Sequence, residues 1–333
     1  MNIKNNNIIR LSWFLSIAIL GVSAFPLSLI AQTSPLRITT SPIPISLITP
    51  PGTTISTPLR IKNEGDKAEE LKTEVMKFTA HDETGHPRLA DIESNDQFDT
   101  WVSFSENQFT IAPGEWKTIT ATFTVPPEAS FGYYYAIVFS RVNAAPAEAG
   151  QATIEGGSAV LVLLEARVPN AVRSVEVVEL SVDKSWYEFL PVNFAVKLRN
   201  NGTVHVAPRG NIFLRRGNEG KEVAILEVND VQGSVLPDSS RIFTTMWNDG
   251  FPSYQTEVAD GQVALDADGK QIQKLTWDFT QAHKLRWGKY TATMLLAYDD
   301  GQRDVPIEGK ISFWVVPWRV VLFVVAVPVL PAF

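Results

Sequence analysis

The chain of 333 residues contains no cysteine, which removes thiol nucleophiles, zinc–thiolate sites and disulfide redox chemistry at once. A chain long enough for two ordinary domains does not need disulfides to hold its cores, so their absence does not argue against export. Histidine is scarce, with four residues in all. His81 and His86 flank Asp82-Glu83-Thr84-Gly85 and lack an obvious third metal ligand, while His205 and His283 stand without ligand-type neighbours. Positive charge is also in deficit: 29 Lys and Arg face 36 Asp and Glu, a net charge of −7. That balance excludes a nucleic-acid binder and leaves no overall basic footprint for anionic lipid. Helical periodicity is missing from "QTSP" to "FWVVPW".

What is present is strand. "TPLRIKN" (57–63) sets Leu59 and Ile61 against Arg60 and Lys62. "EWKTITATFTVP" (115–126) sets Ile119, Ala121, Phe123 and Val125 against a row of threonines. "PVNFAVKLRNNG" (191–202) does the same with Val192, Phe194, Val196 and Leu198. Period two with β-branched and aromatic residues predicts half-buried antiparallel strands. Turn pairs such as Pro113-Gly114, Asn201-Gly202 and Asp300-Gly301 separate the runs, the pattern of a β-sandwich.

The order of motifs repeats. "LRIKNEG", "IAPGEWKTITATFTVP" and "FGYYYAIVFSRV" in the first half parallel "VKLRNNG", "VLPDSSRIFTTMW" and "WGKYTATMLLAYDDG" in the second. Each half carries its own insertion, at 81–101 and 248–279. The prediction is an all-β chain of two tandem immunoglobulin-like β-sandwiches over 35–170 and 171–313, joined near Pro169-Asn170. "NAAPAEAGQATIEGG" (143–157) reads as a mobile hairpin loop. Residues 1–31, with Lys4, Arg10, the short apolar core "LSWFLSIAIL" and small residues at Ala24 and Ala31, read as a secretory signal peptide, so the chain is expected to be exported.

The run "PPGTTISTPLRIKNEGDKAEELKTEVMKFTAHDETGHPRL" followed by "WVSFSENQFTIAPGEWKTITATFTVPPEASFGYYYAIVF" resembles the N-terminal domain of the WxL-interacting proteins. That family comprises Gram-positive bacterial surface proteins with a signal peptide, two immunoglobulin-like domains and a C-terminal transmembrane helix. The resemblance lies in the Pro-Gly turn, the strand ending in Asn-x-Gly, "APGE" before a Thr-rich strand, and Gly-Tyr-Tyr opening another. It implies a membrane-anchored adhesion or scaffolding protein whose first domain associates with peptidoglycan. The second half matches in position and not in residues.

Candidate chemistry is thin. The acidic insertion 82–99 offers Asp91, Glu93, Asn95 and Asp96 as oxygens for a cation, in a spacing that fits no standard calcium loop and better suits a solvated loop. "DADGK" (266–270) reads as a hairpin turn. Ser158 follows two glycines but lacks the Gly-x-Ser-x-Gly elbow of a hydrolase. No catalytic, cofactor or metal residue is therefore expected, and the chain is read as a non-enzyme. Among the aromatics Trp101, Trp116, Trp186, Trp247, Trp277, Trp287 and Tyr133 to Tyr135, core packing is expected to account for most. Trp116, on the polar face of its strand after a turn, and Tyr134, opposite in facing to its neighbours, are the candidate ligand contacts.

The final stretch "WRVVLFVVAVPVLPAF" has fourteen residues after Arg319, short of the ~20 a spanning helix needs. It reads as the first part of a transmembrane helix over 314–333, with Trp314, Trp318 and Arg319 as the membrane interface. The leading expectation is a cell-surface protein that binds peptidoglycan or another surface protein. The alternatives are an accessory module of a carbohydrate-active enzyme, or a pilus-chaperone-like folding factor. The last requires an open edge strand with a basic anchor in the adjoining cleft.

Overall fold

The computed structural model describes residues 35–93, 95–143, 157–259 and 262–326. The expected signal peptide, nearly all of the loop at 143–157 and residues 327–333 lie outside them. In the first half the strands are β1 (Ile38–Ser41), β2 (Ile45–Thr49), β3 (Thr54–Asn63), β4 (Glu69–His81) and β5 (His86–Ala90). A single helical turn, α1 (Phe98–Trp101), leads to β6 (Val102–Phe104), β7 (Gln108–Ile111), β8 (Trp116–Thr124), β9 (Phe131–Arg141) and β10 (Gly157–Ala166). They form one sheet ordered β1-β3-β8-β6 and another ordered β2-β10-β9-β4-β5, with β7 beside β4. The alternation read from the sequence fixes which face turns inward. Leu59, Ile61, Ile119, Ala121, Phe123 and Val125 are all buried between the sheets, joined by Phe98 and Phe139. Each large apolar side chain so placed contributes roughly 1.5–3 kcal/mol of transfer free energy.

The second half contains β11 (Val175–Val182), β12 (Trp186–Tyr187), β13 (Val192–Asn200), β14 (Arg209–Arg216), β15 (Glu222–Val228) and β16 (Ser240–Trp247). The insertion follows as small hairpins of β17 (Ser253–Thr256), β18 (Val258–Ala259), β19 (Gln262–Val263) and β20 (Gln273–Thr276), and then a 3-10 helix over Phe279–Lys284. β21 (Gly288–Asp299) and β22 (Asp304–Val315) complete the half before α2 (Trp318–Ala326). β11-β13-β16 faces β12-β22-β21-β14-β15. Val192, Phe194, Val196, Leu198, Trp247 and Phe313 fill the core between them. The described chain is thus mostly β, in two sheet pairs that each enclose a separate core.

The expected start of the helical segment is corrected. Trp314 is a strand residue, because β22 keeps its ladder with β21 through Lys289↔Trp314 and Gly288↔Val315. The helix begins only after Val316-Pro317 and covers 9 of the described residues. Among the described residues no helix is long and apolar enough to cross a membrane.

Candidate functional site

β10 is hydrogen-bonded to β9 along its full length, from Gly157↔Ser140 to Ala166↔Phe131. On its other side only Val162–Ala166 has a partner, the parallel strand Ile45–Thr49. Gly157–Leu161 therefore presents a bare backbone edge, with no strand beside it among the described residues. The sequence dictates the step. Pro42 and Pro44 stand just ahead of β2, and without N–H groups they cannot prolong that ladder back along β10. The bare stretch is packed on both faces of the sheet. Val160 points into the main core, while Ala159 and Leu161 pack with Phe78, Val138 and Leu163 on the outer face of the sheet. An unpaired edge held this way is a template for a further strand.

Beside β2 and the far end of β10 lies a cleft of about 740 Å³, lined in part by Ser46, Glu165, Arg167, Arg173, His205 and Gln302. Glu165 is buried and ion-paired with Arg173, whereas Arg167 is exposed. Two arginines thus line the cleft, one of them held by a carboxylate. A smaller hollow of about 190 Å³ adjoins the bare edge at Leu161, between Phe78 and Arg241.

The walls of the cleft come from both halves, and polar contacts fix their spacing. The β4–β5 turn reaches the second half, where Ile242 N–H donates to the Glu83 carbonyl at 2.7 Å and Lys197 pairs with the Glu83 carboxylate at 2.6 Å. His205 N–H donates to Tyr134 Oη at 2.8 Å, and the two rings meet edge to face at 5.7 Å. Burial, reinforced by the Arg173 charge, pushes the His205 imidazole down to about 4, so it sits neutral here. Burial drives the Tyr134 hydroxyl up.

Trp116 and Tyr134 are not brought together. Trp116 lies on β8 in one sheet, exposed, with the Arg60 guanidinium 4.5 Å from its ring centroid. Tyr134 lies on β9 in the other sheet, turned toward the second half rather than toward solvent. Of the nine aromatics weighed in the sequence, core packing accounts for five, Trp101, Trp247 and Tyr133 to Tyr135. Trp247 is buried and Trp101 packs against the core, but Trp116, Trp186, Trp277 and Trp287 are exposed. Core positions in these strands go to Val, Ile, Leu and Phe instead.

Part of the acidic insertion is tied to neighbouring strands. Lys77 lies 3.1 Å from Glu93 and 3.6 Å from Asp96, and Tyr135 donates to Asp96. The side chain of Thr84, and then its backbone N–H, hold the Asp82 carboxyl below the usual range. His81 and His86 are register partners across that turn. Among the described residues no group of three or more His, Asp or Glu is placed to hold a metal. Asp266 accepts from the N–H groups of Asp268 and Lys270, closing the hairpin turn read from "DADGK". Ser158 sits within β10 as an ordinary strand residue. Trp314 and Trp318 are exposed, and Arg319 pairs with Glu188 at 3.3 Å.

The bare edge itself escaped the sequence reading. Its trace is the run "SAVLVLLEA", nearly continuous in apolar residues as strands buried on both faces are, following a β2 that is short and proline-flanked.

No family model matches the chain, and no curated protein does. Solved structures do show likeness. A chaperone–tip adhesion subunit pre-assembly complex of the archaic Csu pili of Acinetobacter baumannii is 12% identical with a TM-score of 0.36, covering 82% of this chain and 97% of that one. The class 5 fimbriae chaperone CfaA is 16% identical with a TM-score of 0.35, covering 73% and 100%. The periplasmic chaperone SfaE is 9% identical with a TM-score of 0.30, covering 81% and 99%.

Proposed function

We propose that this chain is a non-catalytic, exported protein of two immunoglobulin-like domains that captures an extended segment of a protein partner as an added strand along Gly157–Leu161. The observation that carries the reading is the half-bare edge of β10, paired with β9 throughout and with β2 only from Val162 onward. An incoming strand gains main-chain hydrogen bonds there without loss of existing structure, and its alternate side chains meet the apolar hollow at Leu161. Arg167, exposed in the cleft beside β2, supplies the basic anchor that a pilus-chaperone-like folding factor needs, while Arg173 is held by Glu165. Among protein-binding roles this arrangement favours that one.

The test is amide hydrogen exchange of the full chain with and without a short peptide of alternating valine and threonine. Slowed exchange confined to Gly157–Leu161 and its neighbours is expected. Unchanged exchange at a saturating peptide concentration would overturn the reading.

The resemblance to WxL-interacting proteins supports a separate proposal, association of the first half with peptidoglycan. Co-sedimentation with purified peptidoglycan tests it independently, because the peptide experiment contains no glycan.

A further inference from the structure

Arg241 departs from what the other sheltered basic residues do. Among the described residues, every lysine or arginine that is not exposed is ion-paired with an Asp or Glu, Arg241 excepted. It is half-buried near the start of β16, with no carboxylate beside it. Burial pushes its ionisation down and no neighbouring acid opposes the shift, whereas Glu69 holds that of Arg141 up. The group keeps its charge all the same, because a guanidinium does not give up its proton in proteins. A cation drawn partly out of water without a counter-ion is a standing cost, which an anionic ligand relieves.

The seat around Arg241 is built from both halves. Gly85, in the β4–β5 turn, and Gly233, ahead of β16, lie close against the guanidinium. A Cβ would come within 2.3 Å of Nε at the first and 2.6 Å of Nη2 at the second. The Phe243 ring lies beneath, its centroid 5.1 Å from the guanidinium carbon. Nη1 donates to the Ser234 carbonyl at 2.9 Å. Nε is buried without an acceptor, and Nη2 has none among the described residues. An acid beside this group supplies both a missing acceptor and the missing charge.

Arg241 lines the hollow of about 190 Å³ that adjoins the bare edge of β10, together with Pro44, Phe78, Leu161, Leu163 and Leu236. The hollow is apolar beside β10 and charged beside β16, so its complement is a carboxylate on an apolar stem. A strand added along Gly157–Leu161 alternates its side chains between faces, and those on the face of Ala159 and Leu161 meet this hollow.

We infer that Arg241 selects the captured segment: the strand that β10 accepts carries a glutamate on its outer face, and the carboxylate pairs with Arg241 across the seam between the halves. The inference rests on strand capture at β10 and adds a requirement to it. Arg241 differs from Arg167, which is exposed in the other cleft. At a net charge of −7 the chain as a whole repels acidic segments, so a preference for one comes from a local cation.

Three labelled peptides of alternating valine and threonine test it: one unmodified, one with glutamate at its central threonine, one with glutamine there. Affinity for the full chain is read by fluorescence anisotropy, and the place of binding by amide hydrogen exchange. All three are expected to slow exchange at Gly157–Leu161, with the glutamate peptide about tenfold tighter than the glutamine peptide. Arg241→Gln should abolish that ratio and leave the affinity for the glutamine peptide unchanged, which also shows that the variant is folded. Arg241→Lys should keep part of the ratio. Equal affinities for glutamate and glutamine in the unaltered chain, with Gly157–Leu161 protected, would overturn the role of Arg241 and leave strand capture standing. Failure of every peptide to protect the edge would overturn strand capture, and this inference with it. A glutamate advantage that survives in Arg241→Gln overturns the inference too, and assigns the acid to another cation such as Arg167.

Discussion

The two halves turn the same corner with the same residue. In the first, buried Asn63 donates from its side-chain amide to the carbonyls of Lys67 at 2.7 Å and Ile111 at 3.1 Å, and accepts from Gly65 N–H at 2.8 Å. In the second, buried Asn200 donates to Val204 and Val235, both at 2.8 Å, and accepts from Gly202 N–H at 2.8 Å. The backbone follows suit: Gly114 N–H reaches the Asn63 carbonyl at 2.8 Å, and Asp238 N–H reaches the Asn200 carbonyl at 3.0 Å. Ile111 and Val235 open the proline turn that comes after each asparagine in the repeat. Each asparagine therefore ties a strand end to a distant turn, which is the reason the motif order recurs.

The halves differ in their outer faces. In β9, Tyr135 to Ser140 are all buried, since one face fills the core and the other packs with Met76, Phe78 and Leu163 toward the second half. In β21, Tyr290, Ala292, Met294, Leu296 and Tyr298 are buried and alternate with exposed Lys289, Thr293, Leu295 and Asp299. The shared corner specifies the sandwich. The outer face specifies use: docking against a neighbour for the first half, solvent and an aromatic rim for the second.

The sharpest way to break the comparison is to remove the corners. Asn200→Ala orphans two carbonyls and one N–H in a fully buried site, at a cost of about 4 kcal/mol. Asn63→Ala removes the same three bonds from a partly wetter site and should cost about 3 kcal/mol. Urea unfolding of each variant measures both losses. A reversed order, or a near-zero loss in either, would end the equivalence of the two corners.

The docked faces respond to pH through His205. Its folded-state pKa lies below its value in the unfolded chain, about 4 against 6.5. The unfolded state therefore binds the extra proton first, and stability is full above pH 6.5 and falls as pH drops toward 4. The span of that loss is at most about 3 kcal/mol. His205→Gln should flatten the dependence in this window, read from denaturant midpoints between the two limits. An unchanged slope in the variant would place the titration elsewhere.

Docking can also be separated from turn strain by two glycines. Gly85 (φ +81) and Gly114 (φ +73) share a left-handed conformation, so alanine strains both by roughly 1–2 kcal/mol. A Cβ at Gly85 would in addition come within 2.3 Å of Arg241 Nε, while at Gly114 it would meet nothing within 4 Å. Gly85→Ala is expected to exceed Gly114→Ala by about 1 kcal/mol, because Arg241 must leave its seat over Phe243. Limited proteolysis of the 167–174 connection should quicken in Gly85→Ala alone.

How much of this was open to sequence reasoning follows from how far each interaction reaches along the chain. Leu59, Ile61 and the Ile119–Phe123 face were legible because period two is local and one-sided burial leaves a pattern. The asparagine corners were visible as a repeat, though not as hydrogen bonds. The bare half of β10 was not legible, since it depends on where β2, more than a hundred residues earlier, stops pairing. Nor was the meeting of Tyr134 with His205, which lie 71 residues apart. Alternation assigned Tyr134 a face opposite to Tyr135 without saying that another part of the chain covers that face. Size was no guide to the burial of single tryptophans: the β12–β22 register puts Trp186, beside Trp314, on an outer face.

The smallest expected effect sharpens that last point. Trp116 is the exposed tryptophan of the first half, held under Arg60 at 4.5 Å and across from Lys62 in the β3–β8 register. A cation over an exposed indole contributes about 0.5–1 kcal/mol, so Trp116→Ala should lower stability by that amount. Trp186 is two-thirds exposed, on a strand of two residues, and Trp186→Ala should change stability by less. Paired thermal unfolding of the two variants in water reads the difference. If Trp186→Ala proved the more costly, its ring would be a structural part of the second half rather than a surface kept free for contact. Should the expected order hold, the first half has spent its exposed tryptophan on its own sheet and the second has left its rim available.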